Sequence, residues 1–141
     1  MIIDTSLVFS DGQAVTASAA STNTLDLGTT GIPRLATTPL VRDIGLAPAL
    51  DLSVSVAQGF AGLTSLQVSV QTSPDGTTWT TALSGAVIPA AQLTSGYLFD
   101  TPKRVETATA RYLRLYYTVV GTATQGTINA AIVAARQSNL A

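Results

Sequence analysis

Leu66-Gln67-Val68-Ser69-Val70-Gln71-Thr72-Ser73-Pro74-Asp75-Gly76-Thr77-Thr78-Trp79-Thr80-Thr81 decides the fold class. Leu66, Val68 and Val70 alternate with Gln67, Ser69 and Gln71, the period-two pattern of a strand with one face in the core and one in water. Ser73-Pro74-Asp75-Gly76 has Pro at the second and Gly at the fourth turn position, which suits a type I turn. Trp79, Thr81 and Leu83 continue the returning strand, so the stretch reads as a β-hairpin. The register set by that turn puts Trp79 on the face of Leu83, inside the core with Val68 and Val70.

The same pattern recurs on both sides. Ile2 to Phe9 reads as a first strand, closed by Ser10-Asp11-Gly12, and a short strand is expected around Asn23 to Leu27. Leu50, Leu52, Val54 and Val56 alternate with Asp51, Ser53 and Ser55, followed by an expected loop at Gly59-Phe60-Ala61-Gly62. Gly85 to Leu93, with Pro89, reads as a short strand and bend, and Tyr97 to Thr101 as a strand stopped by Pro102. Arg111 to Val120 and Ile128 to Ala135 read as a terminal hairpin joined by a Gly121 to Gly126 loop, with Gln137 to Ala141 fraying. Thr29 to Pro48 holds five Gly and Pro residues and reads as a long irregular connection, or one hiding a strand at Leu40 to Asp43. No long stretch carries apolar residues at helical spacing. About eight short strands with turns between them predict a single all-β domain over 1–141, an antiparallel β-sandwich of jelly-roll type.

Composition narrows the function. The chain has 141 residues, 46% hydrophobic, but only 11% charged, below the roughly 25% of an ordinary soluble domain. Thr (22) and Ala (21) fill the deficit, and the net charge is −1. So uncharged a surface reads either as a quiet, neutral one or as one largely covered in an assembly. The longest basic run is Lys103-Arg104, which argues against nucleic-acid binding. No apolar run approaches a membrane span and no secretory leader is legible at Met1-Ile2-Ile3-Asp4. Cys is absent, so the expected folding compartment is a reducing cytoplasm. His is absent too, which removes the commonest general base, the commonest metal ligand and the Cys- and His-dependent nucleophile pairs. The eight acids are scattered and none sits in a recognisable motif. The expectation is therefore no catalytic residues, no metal and no cofactor.

Binding surfaces are more legible. In Ala110-Arg111-Tyr112-Leu113-Arg114-Leu115-Tyr116-Tyr117-Thr118-Val119-Val120-Gly121 the residues Leu113, Leu115, Tyr117 and Val119 form the more apolar face. Tyr112, Arg114 and Tyr116 form the other, with residue types enriched at binding hot spots. That face is the candidate for self-association. It reads equally as a solvated face on which Arg stems cover the rings.

Three features together carry a family resemblance: the Ser73-Pro74-Asp75-Gly76 turn followed by Trp79, the Ala110-to-Leu115 strand, and the opening Ile3-Asp4 with Asp26-Leu27-Gly28. The chain resembles, over most of its length, the small jelly-roll capsid cement proteins of tailed bacteriophages, of the type found on the Bordetella podovirus. The resemblance implies a structural protein on the outer surface of an icosahedral virion, made in the host cytoplasm. It implies the major capsid protein and further copies of itself as partners, with a dimer first and a trimer second. It supplies no catalytic residues and no shell-contact motif. Shell contact is expected from the Gly28 to Pro48 segment with Arg34 and Arg42, or from the Lys103-Arg104 corner. The alternative is a carbohydrate- or receptor-binding sandwich of a virion appendage, which would expose Trp79 beside two or more Tyr.

Overall fold

A computed structural model describes residues 2–28, 31–39, 50–105 and 110–136, with the side chain of Arg104 left out. Arg42, the suggested Leu40 to Asp43 strand and the tail from Gln137 lie outside the described residues. The described residues form β1 (Ile3–Ala14), β2 (Ala19–Ala20), β3 (Leu25–Asp26), β4 (Leu50–Ser73), β5 (Thr80–Pro89), a single 3₁₀ turn (Ala90–Gln92), β6 (Arg104–Val105) and β7 (Tyr112–Val133). The expected all-β, antiparallel architecture is what forms.

Two strands dominate. β4 has 24 residues and β7 has 22, and they pair antiparallel from Asp51 opposite Val133 to Ser73 opposite Tyr112. A straight strand of that length would run about 70 Å. A domain of this size has a radius of gyration of about 14 Å. The ribbon therefore bends, and it does so where four register shifts interrupt the pairing between Val56 and Ser65. The Gly59-to-Gly62 loop and the Gly121-to-Gly126 loop expected from sequence are instead the bulged corner of these continuous strands. The terminal hairpin does not exist, because both halves of β7 pair with β4 and not with each other. Gly126 is needed at the corner: its φ is +138°, and the Phe60 ring fills the place a Cβ would take.

The bend folds one sheet into two facing layers. The first layer contains β1, the end of β7 and the start of β4, with β6 and the Tyr97-to-Phe99 segment on the far edge of β4. That segment was expected as a strand. It makes one isolated bridge, Ser55 to Leu98, with backbone bonds from Phe99 N to Val54 O (3.0 Å) and from Val56 N to Tyr97 O (2.9 Å). The second layer contains β2 and β3, the start of β7, the end of β4, and β5. Leu52, Val54 and Val56 of the first layer join Leu66, Val68 and Val70 of the second in one buried cluster with Phe9, Leu115 and Phe99. Side chains of this size contribute about 1.5–3 kcal/mol each on full burial, so this cluster is what holds the layers together.

A buried polar contact ties the layers as well. Tyr117 and Ser10 share a hydroxyl–hydroxyl bond of 2.7 Å, and Ser10 Oγ donates to Gln13 Oε1 (2.6 Å). Burial pushes the Tyr117 phenol well up from its ordinary range, so it stays protonated. Ser10, Asp11 and Gly12 were expected to close the first strand. They lie within β1, which bulges at Val8 and Ser10 and continues to Ala14.

Candidate functional site

The outer face of the second layer carries the arrangement with most chemistry. On β7, Leu113, Leu115 and Tyr117 are fully buried, while Tyr112, Arg114 and Tyr116 point the other way and are half-buried. Strand alternation thus brings the three sequence candidates onto one face. Their cross-strand partners on β4 are Ser73, Gln71 and Ser69. On the other side, Asp26 of β3 lies opposite Tyr112 and Ala20 of β2 opposite Tyr116.

Arg114 is the centre of this face. Its guanidinium lies 4.0 Å from the Trp79 ring centroid and 5.9 Å from that of Tyr116, and its Nε donates to Gln71 Oε1 (2.8 Å). Burial pushes the guanidinium down from its ordinary value, although it remains a cation in any physiological range. One position along, Arg111 lies 4.8 Å from the Tyr112 centroid and forks onto Asp26, Nε to Oδ1 at 2.6 Å and Nη2 to Oδ2 at 2.7 Å. The fork, followed by the backbone N–H of Gly28, holds the Asp26 carboxyl down at about 2, and the same fork raises Arg111. Asp26, Arg111, Tyr112, Arg114, Gln71, Trp79 and Tyr116 therefore form a ladder of alternating rings and cations.

The turn delivers Trp79 to the ladder. Ser73 Oγ accepts from the N–H of Gly76 (2.9 Å) and of Asp75 (3.3 Å). Asp75 Oδ1 accepts from the N–H of Thr78 (2.7 Å) and Thr77 (2.8 Å), and from Ser73 Oγ (2.8 Å). These bonds hold the Asp75 carboxyl far below the usual range, with the Thr78 N–H the largest cause. Gly76 has φ of +76°, which favours glycine, and lies beside the Tyr112 ring. The connection is thus a capped six-residue loop, and Trp79 leaves it just before β5.

The core placement expected for Trp79 is wrong. Trp79 is half-buried and stacked on Arg114. Leu83, its supposed companion inside, is 40% exposed although it does lie opposite Val70. Between Gln71–Thr81 and Val70–Leu83 the β5 strand contains an extra residue, Ala82. One extra residue reverses the faces. Trp79 and Thr81 therefore share the outer face with Gln71, and Leu83 falls on the opposite face, where it stays exposed.

The basic candidates are elsewhere. Arg34 is exposed in a Pro33–Ala36 turn closed by Ala36 N to Pro33 O (3.0 Å). Lys103 is exposed but paired with Asp100 at 2.7 Å, with Arg136 Nη1 at 3.9 Å from the same carboxylate. A cavity of about 370 Å³ opens on the first layer, between β1 and the paired ends of β4 and β7, and Asp11 is the one titratable side chain in its lining.

A family model matches residues 9–132. The chain belongs to the Bbp16 family. Bbp16 is a Bordetella phage family name. The matched span runs from Phe9 to Ile132 and includes every member of the ladder, the Pro33–Ala36 turn and the bulged corner, while the first residues of β1 fall outside it. No curated protein matches the chain.

The ladder is suited to recognition. It holds two guanidinium planes against aromatic faces, with one carboxylate already committed to Arg111. Pre-ordered rings and cations lose little rotamer entropy on contact, which favours a protein or other large surface as partner.

Proposed function

We propose that this Bbp16-family chain is a capsid cement protein. In this reading it sits on the outer surface of an icosahedral tailed-phage shell, bridges neighbouring major capsid proteins and associates with copies of itself. A jelly-roll connectivity belongs to the same reading. The observation that carries it is the ladder of Tyr112, Arg114, Tyr116 and Trp79 on the outside of a charge-poor sandwich of a phage family. Self-association is assigned to the ladder, and shell contact to the Lys103-Arg104 corner or the Gly28-to-Pro48 connection. Repeated over a symmetric shell, a modest contact becomes strong through avidity. Low surface charge limits repulsion between crowded copies.

The test is to mix the purified protein with expanded shells of the encoding phage that lack it, and to locate it by cryo-electron microscopy. Regular density on the outer shell is the expected result. Density on the tail alone, or no binding, overturns the proposal. A Tyr112→Ala/Tyr116→Ala variant should keep its fold and form weaker oligomers in analytical ultracentrifugation.

A second reading has one observation of its own. Trp79 lies outside the core with Tyr112 and Tyr116 on the same face, as a carbohydrate-binding sandwich would arrange it. Quenching of Trp79 fluorescence by host surface glycans, without shell binding, would favour it.

A further inference from the structure

The described part of the Gly28-to-Pro48 connection, residues 31–39, contains a turn built against the ordinary rules of a surface turn. Leu35 is 98% exposed and Ile32 is 60% exposed, so two large apolar side chains face water together. Leu35 also has φ of +72°, the left-handed region that an L residue with a branched side chain rarely adopts. Gly or Asn at this position would relieve both penalties. The turn is closed by the Ala36 N to Pro33 O bond. A backbone outlier that exposes two large apolar side chains and contributes nothing to the core points to a contact made outside the molecule. Arg34 is the single charge between residues 31 and 39.

The complementary surface is on the same chain. The 370 Å³ cavity on the first layer has Ile3 and Val8 of β1 and Ala130 and Ala131 of β7 in its lining, with Ser55 on its floor strand β4. It is open enough to admit a side chain from outside, and Ile3 is half exposed in it. Asp11 supplies its one carboxylate. An apolar knob with one cation thus matches a groove whose apolar wall of Ile3, Val8, Ala130 and Ala131 faces Ser and Thr side chains and one anion. The knob is in solvent here, so it does not occupy its own groove.

We propose that the Ile32-to-Leu35 tip of one copy inserts into the Ile3–Val8–Asp11 groove of a second copy, with Arg34 pairing with Asp11 at the rim. Made reciprocally, this contact closes a two-fold dimer; made in one direction, it closes a ring or continues as a chain. It is a self-contact separate from the ladder, and it leaves the Lys103-Arg104 corner for the shell contact of the proposed function.

The chain has no Cys, so engineered thiols report the contact directly. A Leu35→Cys protein is mixed with a Ser55→Cys protein under mild oxidation, with Leu35→Cys plus Ser84→Cys as the control pair. The mixed disulfide should form at least about tenfold more in the first pair. Adding Arg34→Asp to the Leu35→Cys protein should reduce the yield by about tenfold, since like charges then meet at the rim. Adding Asp11→Arg to the Ser55→Cys protein should restore it. Leu35→Asn, which accepts a left-handed backbone, should melt no lower than the parent and should fail to compete for the groove. Equal cross-linking in the two pairs overturns the proposal. So does an exchange of charges that fails to recover the yield, or a Leu35→Asn protein that competes as well as the parent.

Discussion

Removing Arg114 tests whether the ladder is held together by its own contacts. Arg114→Ala deletes a guanidinium stacked 4.0 Å from the Trp79 centroid and the 2.8 Å bond to Gln71. A half-exposed cation–π contact is worth about 1 kcal/mol. A hydrogen bond to a charged donor is worth about 1.5–3 kcal/mol where desolvated and less here, since the face is partly wet. The loss should be about 2 kcal/mol in total, a fall of about 4–8 °C in Tm for a domain of this size. Arg114→Lys keeps the charge but loses the plane and the Nε bond, and should recover less than half of it. The decisive measurement is a double-mutant cycle with Trp79→Ala, followed by circular dichroism at two protein concentrations so that linked association is separated from folding. A coupling energy of about 1 kcal/mol is expected. Coupling within about 0.3 kcal/mol of zero, the ordinary scatter of independent sites, would refute the claim that Arg114 and Trp79 act as a unit.

Two further predictions concern the scaffold of the ladder. Asp26 titrates at about 2 against an ordinary 3.8, so its contribution to stability is complete above about pH 4 and disappears as pH falls toward 2; Asp26→Asn should flatten this acid limb in urea melts taken across pH 5 to 2. Gly126→Ala should cost about 3 kcal/mol or more in chemical denaturation, because a Cβ there meets the Phe60 ring at an unfavourable φ; Gly12→Ala, with positive φ but open space, should cost about 1 kcal/mol.

Local alternation in the sequence was a good guide to which residues are buried, but not to where strands end. Leu52, Val54, Val56, Leu66, Val68 and Val70 all lie in the core as their pattern requires. Gly59 and Gly62, and Gly121 and Gly126, look like loop signals because glycine marks both loops and bulges. The difference depends on whether a second strand follows the same bend. Here two corners meet, each bulged opposite the other, and the net register slip is one residue. That slip explains an otherwise odd feature of β7. Its core residues are odd-numbered at Leu113, Leu115 and Tyr117, but even-numbered at Ile128, Ala130 and Ile132, while the β4 residues on either side of the corner, Leu52, Val54 and Val56 and then Leu66, Val68 and Val70, are all even-numbered. The change of phase is visible in the sequence, but it reads naturally as two strands rather than one.

The candidate site was half legible for the same reason. Tyr112, Arg114 and Tyr116 are reached by alternation within one unbroken strand segment, with no turn between them and their buried neighbours Leu113 and Leu115. Trp79 is reached only through a turn and a bulge. Counting inward from Leu83 assigns it to the core; counting across from Gln71, opposite Arg114, assigns it to the ladder. The two counts disagree by one residue, Ala82, which has no side-chain signal to announce a bulge. What decides the outcome is energetic. The outer face offers the Trp79 ring a guanidinium already oriented by Gln71. The inner face opposite Val70 is open enough to leave even Leu83 40% exposed, so a buried slot for an indole does not exist there. The bulge and the stack therefore support each other: Ala82 releases Trp79 from the core phase, and Arg114 gives the released ring a partner.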